Sequence, residues 1–97
     1  MSKDNVIIDV SAKSITVTYE GTTLVAPTDA QECREQYGIP PILDEVVRLA
    51  LSRAAWKKVE SDKGVKITGD GSKYDTEIKN SLNVMCDDTG LVSLKAL

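Results

Sequence analysis

The sequence predicts an α+β fold: a small N-terminal antiparallel sheet packed on two consecutive helices, with a C-terminal β-hairpin region. Three observations predict it. Apolar residues alternate with Thr over 15–19, apolar residues recur at helical spacing between Ile39 and Trp56, and Asp70-Gly71 interrupts a third apolar stretch. The chain of 97 residues has the length of one domain, 1–97.

Val6, Ile7, Ile8 and Val10 read as a short buried strand. Ile15, Val17 and Tyr19 alternate with Thr16 and Thr18, the period of a half-buried strand. Glu20-Gly21 makes a tight turn, so Thr22–Ala26 runs back as a hairpin partner until Pro27, which has no N–H to donate.

Thr28 and Gln31 fit a capping box for a helix over 28–37, with Ala30, Cys33 and Tyr37 on its core stripe and Gly38 as its stop. Pro40-Pro41 opens the next helix, 40–60, where a missing N–H costs little. Ile39, Leu43, Val46, Val47, Ala50 and Ala54 share one face, widened by Leu49 and Trp56. Asp44, Arg48 and Ser52 mark the wet side, with Asp44 and Arg48 paired at i,i+4. On this reading Leu43→Asp prevents folding, because it buries an unpaired charge.

After Gly64 the period changes. Val65–Gly69 and Ser72–Lys79 pair across Asp70-Gly71, with Ile67 opposite Tyr74. A second hairpin joins Leu82–Cys86 to Leu91–Lys95. The alternative is a helix over 73–87 with Tyr74, Ile78, Leu82, Met85 and Cys86 on one stripe.

Absences narrow the function. There is no His, which removes the commonest general base and zinc ligand, and two isolated Cys make no zinc site. Cys33 and Cys86 read as buried thiols of a reducing compartment, and the N-terminus lacks a signal peptide's apolar run. The expected localisation is cytoplasmic, with no membrane span, no metal, no cofactor and no catalytic residue. Charge is segregated: residues 1–47 hold eight acids and three bases, residues 48–73 seven bases and three acids.

Asp88-Thr89-Gly90 resembles the Asp-Thr-Gly signature of aspartic proteases. That family sets the aspartate after an apolar strand with most of the fold behind it; here seven residues follow Gly90, and the stretch reads as a turn. Gly69-Asp70-Gly71-Ser72-Lys73 resembles a phosphate loop, but its Gly-Ser-Lys order is not the required Gly-Lys-Ser/Thr, and it too reads as a turn. Asp70 and Asp75 lack the alternating ligands of a calcium loop. Two helices separated by Gly38-Ile39-Pro40, then a hairpin, resemble a winged helix-turn-helix over 28–79. That resemblance implies nucleic-acid binding through Arg53, Lys57, Lys58, Lys63 and Lys66, against a pI near 4.8 and a second helix apolar around much of its girth.

The leading expectation is a non-enzymatic acidic module that binds another protein or complex. Its partner-binding surface is Asp29, Glu32, Glu35, Asp44 and Glu45, whose carboxylates imitate phosphates before a basic groove, as in small inhibitors of nucleic-acid-processing machines such as phage anti-defence proteins. The alternatives are a nucleic-acid-binding accessory protein using the basic 48–73 segment, and a homo-oligomeric structural subunit built on exposed strand edges.

Overall fold

The structure, a computed structural model, describes residues 6–95. It is α+β. Strands β1 (Val6–Val10), β2 (Ser14–Tyr19) and β3 (Thr22–Pro27) form an antiparallel sheet in the order β1-β2-β3. Helices α1 (Ala30–Tyr37), α2 (Leu43–Lys63) and α3 (Asp75–Thr89) follow, with 3-10 turns at Ser72–Tyr74 and Val92–Leu94.

The predicted alternation in β2 holds. Ile15, Val17 and Tyr19 are buried while Thr16 and Thr18 are half-exposed, and Leu24 and Ala26 of β3 join the buried face. Glu20 and Gly21 both have positive φ, 47° and 78°, and connect Tyr19 to its partner Thr22 as a two-residue turn of the primed class. The loop before β2 is tied by Ser11, whose Oγ accepts the N–H groups of Lys13 and Ser14.

Helix α1 starts one residue later than the capping box predicts. The N-cap is Asp29, whose Oδ1 accepts the Glu32 N–H at 2.9 Å, while Thr28 donates its hydroxyl to the Ala12 carbonyl at 2.8 Å. Cys33 is buried, but Ala30 lies exposed. Tyr37 donates its hydroxyl to the Val25 carbonyl at 2.9 Å, which fixes α1 along the outer edge of β3.

Helix α2 is three residues late at its start and three long at its end. Pro40 and Pro41 precede it rather than open it, and Gly64 terminates it in the left-handed region. Its buried residues are Val46, Val47, Ala50, Leu51, Ala54, Ala55 and Val59. At about 100° per residue these cover roughly 220° of the helix surface. The arc is that wide because α2 is wedged between the sheet and α3.

Two expectations about α2 are corrected. Leu43 shares the helical angle of Ala50 and Ala54, but it sits on the first turn, beyond the sheet, and is 42% exposed. A charge there stays in water, so Leu43→Asp does not bury one. Arg48 pairs with Glu45 at 3.3 Å rather than with Asp44, and its Nε donates to the Leu94 carbonyl, holding the Val92–Leu94 turn against α2.

The predicted C-terminal hairpins are absent from the described residues; the helical alternative forms instead, as α3. Ile78, Leu82, Met85, Cys86 and Thr89 give this segment a 3.6-residue stripe that buries against α2, which strand pairing would split between two faces. Around Asp70 the positive φ values fall on Gly69 and Gly71, not on the Asp-Gly pair a two-residue hairpin needs. Asp70 Oδ1 instead accepts the Ser72 N–H and opens the 3-10 turn into α3. Asp88-Thr89-Gly90 ends α3: Leu91 N–H reaches the Cys86 carbonyl at 2.8 Å and Gly90 N–H the Asp87 carbonyl at 3.3 Å, the paired bonds of a Schellman cap. With α3 in place of a wing, the winged-helix resemblance stops at the two helices.

Candidate interaction surfaces

The five predicted acidic residues fall into two groups. Asp29, Glu32 and Glu35 recur every three residues along the exposed side of α1. Asp29 is engaged as the N-cap, and Glu35 accepts from the Gln31 amide at 3.1 Å. Asp44 and Glu45 stand on the first turn of α2, Asp44 exposed and Glu45 paired with Arg48. Of the five, only Glu45 joins an ion pair among the described residues. Between the groups, Ile42 and Leu43 are large apolar residues left 56% and 42% exposed. Periodicity hid them, because the pattern of α2 assigns Leu43 to the core.

The structure separates the basic residues of 48–73. Arg53 and Lys57 line a groove of about 650 Å³ with Thr22, Leu49, Trp56 and Glu60. Arg53 also stacks over the Tyr37 ring, 5.1 Å from its centroid. Lys58 and Lys63 line a different groove of about 660 Å³, between the β2–β3 turn, α2 and α3, where Lys58 pairs with Asp62 at 3.6 Å. Lys66 borders a small hollow with Ile67 and Tyr74. These cations border three different hollows.

The groove between α2 and α3 is acidic as well as basic: Glu20, Asp62, Glu77 and Asp88 also line it. Burial, then the Glu20 and Asp88 carboxylates, push the Tyr19 hydroxyl above its ordinary range. Burial likewise raises the neighbouring Cys86 thiol, with Asp87 adding to it. Ser81 Oγ is buried there without a hydrogen-bond partner among the described residues. Among the described residues no group of three or more His, Cys, Asp or Glu is placed to hold a metal ion, and no helix is long and apolar enough to cross a membrane.

Strand β1 departs most from expectation. The run Val6-Ile7-Ile8 and Val10 predicts a buried strand, yet Ile7 is 63% exposed, Ile8 40% and Val10 60%. Only Val6 packs against the core. The reason is tertiary: α2 packs on β2 and β3 and leaves Ile8 and Val10 beyond the helical layer, while Ile7, opposite Thr18, lies on the sheet's open face.

In comparisons with known proteins, no family model, curated protein or solved structure matches this chain.

Proposed function

We propose that this chain is a non-catalytic protein-binding module that meets its partner with the α1–α2 face. The observation that carries this reading is the exposed pair Ile42–Leu43, next to Asp44 and following the carboxylate row of α1. Exposed apolar side chains beside charged ones are the make-up of an interface centre and rim. The carboxylates draw in a basic surface and set orientation, while Ile42 and Leu43 supply apolar burial on contact. The partner so described is a protein with a basic groove beside an apolar hollow, the kind of surface that otherwise takes phosphates.

The test compares capture from a cell lysate by the wild-type chain and by the combined variant Glu32→Gln, Glu35→Gln, Asp44→Asn, Leu43→Ser. All four sites are exposed, so the variant keeps the wild-type circular dichroism and melting profile. It loses the wild-type's dominant bound protein. A folded variant that retains that protein at wild-type yield refutes the assignment of this face.

A further inference from the structure

The backbone of β1 has a definite polarity. Ser11 N–H donates to the Ser14 carbonyl at 2.9 Å, continuing the β1–β2 ladder by one bonded position. Bonded positions alternate along an antiparallel pair. Asp9 and Ile7 therefore turn their N–H and C=O groups toward β2, and Val6, Ile8 and Val10 turn theirs away from it. The other side of the sheet gives the same answer. Thr28 N–H donates to the Lys13 carbonyl at 3.0 Å, assigning 13, 15, 17 and 19 of β2 to β3. That leaves 14, 16 and 18 for β1, and Thr16 and Thr18 are the partners of Asp9 and Ile7.

The two sheet edges differ. On the β3 side, α1 lies along the edge and Tyr37 occupies the Val25 carbonyl. On the β1 edge, five consecutive described residues pair regularly with β2, without Pro, Lys or a bulge, and the strand's one charge, Asp9, stands on the face away from the helices. The residues whose backbone groups face outward are also the ones on the helix-side face, since Val6, Ile8 and Val10 stand opposite buried Tyr19, Val17 and Ile15.

We propose that β1 pairs antiparallel with β1 of a second copy of this chain, about a two-fold axis through Ile8, making one six-stranded sheet. Ile8 then faces the partner's Ile8, Val6 faces the partner's Val10, and Ile7 faces the partner's Asp9. This register satisfies every outward-facing N–H and C=O of the strand and stacks apolar on apolar along the helix-side face. Centring on Asp9 instead sets the two carboxylates directly opposite each other and strands both Val6 residues. Centring on Ile7 sets each Val10 opposite position 4, outside the described strand. The exposure gradient also fits. Each copy is covered at its Val6 end, where Val6 stands opposite buried Tyr19 and packs on the core, and bare at its Val10 end. The two-fold lays each bare end beside the other copy's covered end, so an isologous contact fills what one copy leaves open.

The experiment uses the full chain. Sedimentation over a wide concentration range shows wild type passing from monomer to dimer. Ile8→Lys, which sets two ammonium groups face to face, sediments as monomer throughout with unchanged circular dichroism. Ile7→Lys, which sets an ammonium opposite the partner's Asp9, keeps the dimer. Amide exchange on the wild type reads the register without a mutation: Ile8 and Val10 exchange about tenfold more slowly where nine-tenths of the chain is dimeric, while Ile7 and Asp9, already bonded to β2, change little. The proposal is overturned by a wild-type chain that stays monomeric with exchange independent of concentration. It is equally overturned by a dimer that survives Ile8→Lys, or by one that Ile7→Lys dissociates as fully as Ile8→Lys does.

Discussion

Gly71 offers the sharpest test of how the 64–74 connection seats on α2. Its φ is +74°, and a Cβ built on it would lie 2.5 Å from Trp56 Cζ3 and 2.7 Å from Cη2. Gly71→Ala therefore meets two separate penalties. The left-handed backbone costs an L-residue about 1–2 kcal/mol. Displacing the indole adds an overpacking term of about 1–3 kcal/mol. Gly69 is a matched control, with φ of +69° and nothing within 4 Å of its would-be Cβ, so Gly69→Ala meets the backbone penalty alone. Urea unfolding of both variants, followed by far-ultraviolet circular dichroism, isolates the steric term by difference. At about 2 kcal/mol that difference corresponds to about 8–16 °C in Tm for a chain of this size. Trp56 is the sole tryptophan, so its fluorescence reports the displacement directly: emission shifts to the red in Gly71→Ala and stays put in Gly69→Ala. Equal destabilisation of the two variants to within about 0.5 kcal/mol, with unshifted emission, would refute the contact between the connection and the indole.

Two further outcomes follow from the core and its titrating groups. Leu51→Ala, at a position with no exposure, costs about 2–5 kcal/mol in urea unfolding, whereas half-exposed Leu43→Ala costs less than about 1 kcal/mol and Leu43→Asp still melts cooperatively; equal losses at 43 and 51 would mean that α2 is rotated from the position described. At alkaline pH, Cys86 and Tyr19 bind their protons more tightly in the folded chain than in the unfolded one, so stability is intact below the ordinary thiol value of 9.0 and declines as pH rises through the raised folded values. Urea midpoints between pH 7 and pH 11 show that decline, and Cys86→Ala removes its lower part; a flat profile across the range contradicts the burial of both groups.

The hairpin of β2 and β3 was legible because its signals are local. Thr16 and Thr18 alternate with apolar neighbours, and Glu20-Gly21 needs only the backbone of two residues to turn the chain. The two consecutive helices were legible for the same reason, from the glycine stop at Gly38, the Pro40-Pro41 start and the apolar stripe that follows it. The segment after Gly64 was ambiguous because Asp70-Gly71 and the Ile78–Cys86 stripe point to different structures. The stripe prevails once α2 is present to receive it. Sequence placed the carboxylates on α1 and on the first turn of α2, but not the exposed Ile42–Leu43 pair between them. No local signal shows where a helix outruns the layer it packs on.

By itself the sequence determined the α+β class, the β2–β3 hairpin, the two helices and the separation of acidic from basic segments, all set by neighbours within about one or two turns of chain. Only the tertiary structure decided which apolar residues are covered. Leu51 and Ala55 are buried because α2 is packed on both the sheet and α3, and Leu43, Ile8 and Val10 are exposed because the packed layers end before they reach them. Burial is a property of what lies opposite a side chain, and that partner is chosen by contacts distant in sequence. The open edge of β1, a strand the sequence assigns to the interior, is the clearest case.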